Sequence, residues 1–325
     1  MKILYGIQLT GNGHITRSIK IITALKTAGF DVDIITSGTN SQLELPFKIK
    51  KQFKGLSFFY NKKGGINWLK TLTSVKLKQF LSDLKYDVSE YDLVISDFEP
   101  ISAWSARKSN KKSIGIGNQY SFRSNKVPRP FFKDIFSELF IKWFAPCKEY
   151  IGINYERYDD FITLPIINDD LVNKKVTNSN FYLVYLPSMS SDFICEQINN
   201  YGVGNWKVYS PDIKKDKSSG IVKLKKLDKK SFTKDLLSCR GVITAAGFST
   251  TSEALVLGKK LWSIPIKGQY EQMCNAKALK KMGVFTKDLN NRTIFEWIFG
   301  YKNIEYIWFN PIDKIIKKIS DYAKN

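Results

Sequence analysis

The sequence predicts an α/β chain of two domains, each a parallel sheet wrapped by helices. Three observations support this. Apolar strand-like runs alternate with segments of helical period along the chain, the pattern of linked β-α-β units. The alternation lapses once, into Pro, Asn and Asp around TLPIINDDLVNKKVTNSN (163–180), and then starts again. A length of 325 residues suffices for two cores of ordinary size. The expected division is 1–165 and 166–325, with the last helix, about 308–325, packing back on the first domain.

The elements follow in order. KILYGIQ (2–8) reads as a buried strand, GNGH (11–14) as a turn, and 15–28 as a helix with Ile15, Ile19, Ile22 and Leu25 on one face, closed by Gly29. DVDIIT (31–36) is the next strand, so the crossover is right-handed and the pair parallel. A less regular basic and aromatic stretch, KKQFKGLSFFYNKKGGINWLK (50–70), separates this unit from a second one. There YDLVISD (91–97) is a strand, Pro100 opens a helix, and KSIGIG (112–117) is a strand. FFKDIFSELFIKWF (131–144) has apolar side chains at helical spacing. Core packing is the commoner use of such a stripe, and docking to a membrane or a lipid-linked acceptor is the alternative.

The second half repeats the alternation. Strands are expected at 181–186, WKVYS, IVKLKKL, GVITAA and LWSIPI, and helices near 190–199, 231–238, 250–257 and 271–282. WFNPIDKIIKKISDYA (308–323) reads as the closing helix. Two open α/β domains place a ligand beyond the carboxyl ends of their strands, in a cleft.

Composition narrows the function. The net charge of +21 draws anionic partners, yet only seven of the 51 basic residues are arginine, the residue suited to bidentate phosphate and base recognition. A solvated lysine coat explains that balance, and no nucleic-acid-binding signature is present. Cys147, Cys195, Cys239 and Cys274 have no C-x-x-C spacing, which argues against a zinc or redox motif and fits a reducing, cytoplasmic compartment. The opening MKILYGIQLTGNGH lacks a signal-peptide core, and no apolar run reaches a membrane span of roughly 20 residues.

Four stretches hold candidate chemistry. GNGHITR (11–17) follows the first strand, but a dinucleotide fingerprint needs Gly where Thr16 stands, and an acid at the end of the second strand where Asp31 and Asp33 stand at its start. NAD and FAD therefore do not fit. What remains is a turn at Gly11 and Gly13 that lets backbone approach a ligand, with His14, the single histidine, as candidate base. DFEP (97–100) ends another strand. Asp97 is a candidate to orient the imidazole, Glu99 is an acceptor-side candidate and second choice of base, and capping of the helix at Pro100 is the alternative use of these acids. Asp31-Val-Asp33 resembles a metal-binding D-x-D only as letters, and no cluster has metal-ligand spacing, so no metal is expected.

The most specific stretch is ITAAGFSTTSEAL (243–255). Gly247 permits a strand-to-helix turn, and Ser249, Thr250, Thr251 and Ser252 set hydroxyls beside helix amides, an arrangement that holds a diphosphate. Glu253 could accept from two vicinal hydroxyls such as those of a ribose, or, as Thr250-x-x-Glu253, fold back as a capping box. After the next strand, KGQYEQMCNA (267–276) gathers Gln269, Glu271, Gln272 and Asn275, groups suited to sugar hydroxyls.

Together GFSTTSEAL (247–255), IPIKGQYEQ (264–272) and Asn275-Ala276 resemble the donor region of GT-B glycosyltransferases. The likeness extends to GNGHITR, KKGG (62–65) and SDFEPISAWSAR (96–107), and is nearest to an uncharacterised bacterial and archaeal group. That group is distantly similar to the lipid-linked N-acetylglucosaminyltransferase of peptidoglycan synthesis and to monogalactosyldiacylglycerol synthase. The resemblance implies two Rossmann-like domains, acceptor-binding then donor-binding, and inverting transfer of a hexose-type sugar from a UDP-sugar without metal or cofactor. It gives the donor ribose to Glu253, the diphosphate to Ser249–Thr251, the donor sugar to Gln269, Gln272 and Asn275, and the base to His14. Ala246 replaces a glycine usual in the group, and the nucleotide base is expected near Leu227. A lipid-linked or glycan acceptor in cell-envelope synthesis, with peripheral membrane contact, would fit. A nucleotide-sugar 2-epimerase and a non-catalytic nucleotide-sugar-binding protein are alternatives on the same fold.

Overall fold

The structure, a computed structural model, describes residues 1–38, 45–55 and 77–324. KKGG (62–65) lies outside the described residues, as does most of the basic aromatic stretch. The chain forms two compact units: Met1–Val127 with Phe131–Asn168 and Phe309–Asn325, and Asp169–Trp308 with Pro128–Pro130.

In the first unit seven strands run parallel in the order β3-β2-β1-β4-β5-β6-β7. They are β1 Lys2–Gln8, β2 Asp31–Ser37, β3 Lys51–Phe53, β4 Leu93–Asp97, β5 Ser113–Gly117, β6 Glu149–Ile153 and β7 Ile162–Thr163. β1 and β4 are mostly apolar, and all their residues but Lys2 are buried, as expected of central strands covered on both faces. Leu4, Ile35, Val94 and Ile101 meet in one core beneath the helix Pro100–Lys108. That helix lies so close to β1 that a Cβ on Gly6 would stand 2.2 Å from Ser102 Oγ, so Gly6 sets the packing distance. The closing helix Ile312–Lys324 buries Ile315 and Ile319, lies against the helix Asn12–Thr27, and accepts from Lys112 Nζ at Ala323 O, 3.0 Å.

In the second unit six strands take the order β10-β11-β9-β8-β12-β13, with β10 the one antiparallel member. They are β8 Tyr182–Tyr185, β9 Trp206–Ser210, β10 Lys217–Ser219, β11 Val222–Lys226, β12 Gly241–Ala245 and β13 Lys260–Ile264. Val184, Ile194, Val208, Ile243 and three tryptophans, Trp206, Trp262 and Trp297, fill one core. Trp206 Nε1 donates to Val203 O, 2.9 Å, and Trp262 Nε1 to Lys287 O, 2.8 Å, whereas the buried Trp297 Nε1 has no hydrogen-bond partner among the described residues.

Strand order reverses between β1 and β4 in the first sheet and between β8 and β12 in the second. Ligands of open α/β sheets bind beyond the strand ends at such reversals. His14 follows β1, Asp97 ends β4, and ITAAGFSTTSEAL contains the end of β12.

Candidate functional site

In the first unit the chain leaves β1 through an extended Gly11 (φ 180°) directly into the helix Asn12–Thr27. The helix therefore begins three residues before the expected position, and Gly13 and His14 lie in its first turn rather than in a loop. Nothing lies within 4 Å of a Cβ built on Gly11, so this chain's own packing does not demand a glycine there.

His14 and Arg17, three apart on one helix face, meet Asp97 across the sheet. His14 Nδ1 stands 2.7 Å from Asp97 Oδ1, Arg17 Nε donates to Asp97 Oδ2 at 3.0 Å, Arg17 Nη2 bonds Oδ1, and Ser18 Oγ donates to Oδ2 at 2.9 Å. Asp97 is fully buried. Burial alone would raise its carboxyl, but the Arg17 guanidinium and His14 more than offset that and hold it below the ordinary carboxylate range. An ionised carboxylate accepts only, so Nδ1 is the nitrogen that donates to Asp97, which leaves Nε2 as the nitrogen on the other side of the ring. Nε2 makes no hydrogen bond among the described residues, the state a general base requires. Arg17 Nη2 also lies 3.1 Å from Nδ1. Sequence reasoning passed over Arg17 and Ser18. The signal was there in the i, i+3 spacing of His14 and Arg17, but a helical arginine usually reads as solvated surface.

Glu99 does not join this group, and its assignment as an acceptor-side residue or second base is corrected. Phe98 turns through the left-handed region (φ 52°), which sends the two acids apart. Glu99 is wholly enclosed and caps the helix Pro100–Lys108: Oε1 accepts from Ile101 N at 2.8 Å and Oε2 from Ser102 N at 2.6 Å. Burial raises its carboxyl, opposed by those amides. Asp33 accepts from Lys50 and Tyr91 in a surface network at the amino end of its strand, away from the strand ends that matter.

In the second unit the helix Phe248–Val256 starts at Gly247, so Ser249 and Thr250 lie in its first turn, where amides have no acceptor within the helix. Gly247 has ordinary extended dihedrals (φ −67°, ψ 131°), and a Cβ there would meet nothing within 4 Å. The turn needs no glycine; what the missing side chain leaves is open space over the amides. Ser249 is exposed and Thr250 half-buried. Thr251 is corrected: it is buried, and its hydroxyl donates back to Gly247 O at 2.8 Å, so it braces the turn from inside.

Of the two expected uses of Glu253, capping is not seen. No side chain caps this helix, and the carboxyl makes no hydrogen bond or ion pair among the described residues, so the capping box does not form. Burial pushes the half-buried group up to about 7, eased only by the charge of Lys229. Such a carboxyl lacks the partners its charge calls for.

The polar groups after β13 divide by role. Gln272 Oε1 accepts from Ile266 N at 3.1 Å and its Nε2 donates to Gln269 Oε1 at 2.6 Å, which fixes the loop. Glu271 is half-buried in the first turn of the helix Tyr270–Lys281. Asn275 is corrected from a sugar ligand to a buried brace: it is 1% exposed, and Nδ2 donates to Ala246 O at 3.1 Å, tying this helix to the turn before Gly247. Leu227, just after β11, is exposed.

Comparison with known proteins identifies the chain. Residues 1–300 match the family described as Glycosyl transferase family 1. The chain belongs to this family. Solved structures share its fold at low identity. The glycosyltransferase SnogD from Streptomyces nogalater is 13% identical, with 100% of this chain and 95% of that one covered and a TM-score of 0.54. UGT89C1 from Arabidopsis thaliana, solved in complex with UDP, is 13% identical, with 99% and 94% covered and a TM-score of 0.58. Os79 from O. sativa, solved with U2F and a trichothecene, is 12% identical, with 99% and 94% covered and a TM-score of 0.62. No curated protein matches the sequence. The glycosyltransferase thus has the GT-B type of α/β fold, with parallel Rossmann-like sheets.

Proposed function

We propose that this glycosyltransferase moves a hexose-type sugar from a UDP-sugar to an acceptor hydroxyl, with inversion at C1 and without a divalent metal. His14 Nε2 takes the acceptor proton as the hydroxyl oxygen attacks C1. The bond from C1 to the diphosphate oxygen breaks, and its electron pair stays with UDP. Asp97 holds the imidazole with Nε2 outward, and Arg17 holds Asp97.

On the donor side, the first-turn amides of Phe248–Val256 and the hydroxyls of Ser249 and Thr250 meet the diphosphate, so the helix terminus supplies the positive potential that a metal would otherwise provide. Glu253 accepts from the two ribose hydroxyls. Gln269 and Glu271 face the donor sugar, and Gln272 holds their loop. UDP as the nucleotide is supported by relatives solved with it.

The observation that carries the reading is an imidazole fixed on one nitrogen by a buried carboxylate, with its Nε2 unpartnered among the described residues. The test is a thermal-shift screen of UDP-glucose, UDP-galactose, UDP-N-acetylglucosamine and the matching GDP- and dTDP-sugars, followed by transfer assays with the best donor in the presence of a chelator. A UDP-sugar should stabilise most, and the product should have the anomeric configuration opposite to the donor's. Stabilisation by another nucleotide class, retention at C1, or activity that returns only with added manganese would each contradict a stated part.

A further inference from the structure

The helix Ile135–Trp143 has two apolar faces and uses one. Phe140, Ile141 and Phe144 turn inward, where Phe144 packs on Phe98 with ring centroids 5.0 Å apart beside Ala103 and Tyr120. On the other side Phe136, Leu139 and Trp143, spaced three and four residues apart along the helix, are exposed as a stripe beside exposed Ile135, and Phe131 and Phe132, which precede the helix and lie with ring centroids 4.9 Å apart, are exposed as well. Phe131, Phe132 and Phe136 are 89%, 84% and 80% exposed. Large apolar side chains scattered singly on a surface are ordinary, but six exposed ones within residues 131–143 mark an interaction site.

The charges around the stripe select its partner. The Arg107 guanidinium lies 5.4 Å and Lys142 Nζ 5.9 Å from the Trp143 ring centre, and Lys133 is exposed beside Phe132. Of the acids in the segment, Asp134 is turned onto the helix start, accepting from Phe136 N, Ser137 N and Ser137 Oγ, and Glu138 is half-buried. The stripe is therefore aromatic at its centre and cationic at its rim, on a chain of net charge +21.

We propose that this face docks the protein on a bilayer surface rich in anionic lipid headgroups. The aromatic stripe enters the headgroup boundary, and Arg107, Lys133 and Lys142 meet lipid phosphates. A second copy of the chain fits less well, because a two-fold contact through the stripe would bring one cationic rim against another with no free acid of the segment to meet it. Among the described residues no helix is long and apolar enough to cross a membrane, so the contact is interfacial. The proposal stands apart from the sugar-transfer reading.

Flotation of the full chain with vesicles tests it. The protein should float with phosphatidylcholine vesicles containing phosphatidylglycerol, stay behind with phosphatidylcholine alone, and detach as salt is raised. The double variant Phe132→Ser, Phe136→Ser should partition about tenfold or more weakly at an unchanged unfolding midpoint, since both rings lie outside the core. In the parent, lipids brominated on the acyl chain should quench tryptophan emission, and Trp143→Phe should remove most of that quenching. Parent protein that fails to float, a double variant that floats as well as the parent, or a parent dimer that the double variant turns into a monomer would each overturn the proposal. The second result would leave only a lysine coat, and the third would assign the face to another copy.

Discussion

Replacing Glu253 by Gln separates stability from binding. The substitution keeps shape and removes a charge that has no hydrogen-bond partner among the described residues. With the folded carboxyl at about 7 against an ordinary 4.5, the folded chain binds the more protons between those values. This contribution to stability is therefore fully present below pH 4.5, is lost as pH rises through 7, and changes no further above that. At roughly 1.4 kcal/mol per pH unit, the difference amounts to about 3 kcal/mol. The ligand-free Gln variant should match the parent near pH 4.5 and exceed it by up to that amount at pH 8, measured by urea denaturation. Binding should move the other way. Charge-assisted bonds to ribose are worth about 1.5 to 3 kcal/mol each against about 0.5 to 1.5 for the neutral ones the amide can still make, so a loss of about 1.4 to 2.7 kcal/mol is expected over the two, roughly ten- to a hundredfold in affinity for UDP-glucose at pH 8. UDP-glucose has no group titrating near neutrality, so parent affinity should rise from pH 6 to pH 8 while that of the variant stays level. Equal affinity and equal pH dependence in a folded Gln variant would refute the ribose assignment.

Other substitutions test the supporting geometry. Gly247→Ser retains a good helix cap and ordinary dihedrals, so the unfolding midpoint should hold while the dissociation constant for UDP-glucose, by calorimetry, rises about tenfold as the side chain fills the space above the amides. Arg17→Met leaves Asp97 buried with its main cation gone, and should cost roughly 3 to 5 kcal/mol in denaturant titration. Glu99→Ala should cost about 2 kcal/mol through lost capping and leave the kcat of any folded enzyme near the parent value. Asn275→Ala frees the Ala246 carbonyl and should cost about 1 to 3 kcal/mol while weakening UDP-glucose binding.

The regular parts of the fold were legible because parallel strands buried on both faces are mostly apolar, as in LVISD and GVITA, and turn residues punctuate them. The short edge strands were not. Lys51–Phe53 and Ile162–Thr163 hold three and two residues, too few for a period to show. His14 and Asp97 could be paired from the sequence because each follows a strand end. Arg17 shares the helix face of His14 by its spacing, but that it is buried depends on where β4 finishes. The roles of Glu99 and Glu253 came out opposite for one reason: helix starts. Pro100 fixes one start directly after Glu99, whereas the other falls at Gly247, three residues before Thr250, so Thr250-x-x-Glu253 lies inside the helix. The outward stripe of the helix Ile135–Trp143 shows the limit of amphipathicity, since one helix can have an apolar face on either side and the sequence does not say which is covered. Likewise Lys259, read as part of a solvated coat, is buried with Nζ bonded to the carbonyls of Thr177 and Cys239 at 2.6 and 2.8 Å.

In the proposed reaction His14 acts on the acceptor proton and takes no part in holding the donor. The direct measurement is kcat for sugar transfer beside the calorimetric dissociation constant for UDP, in the parent and in His14→Ala. Loss of a general base lowers kcat by about a hundredfold or more, with UDP affinity changed less than about twofold. Transfer at the parent rate in the folded variant, or a loss accounted for by weaker UDP binding, would contradict the account.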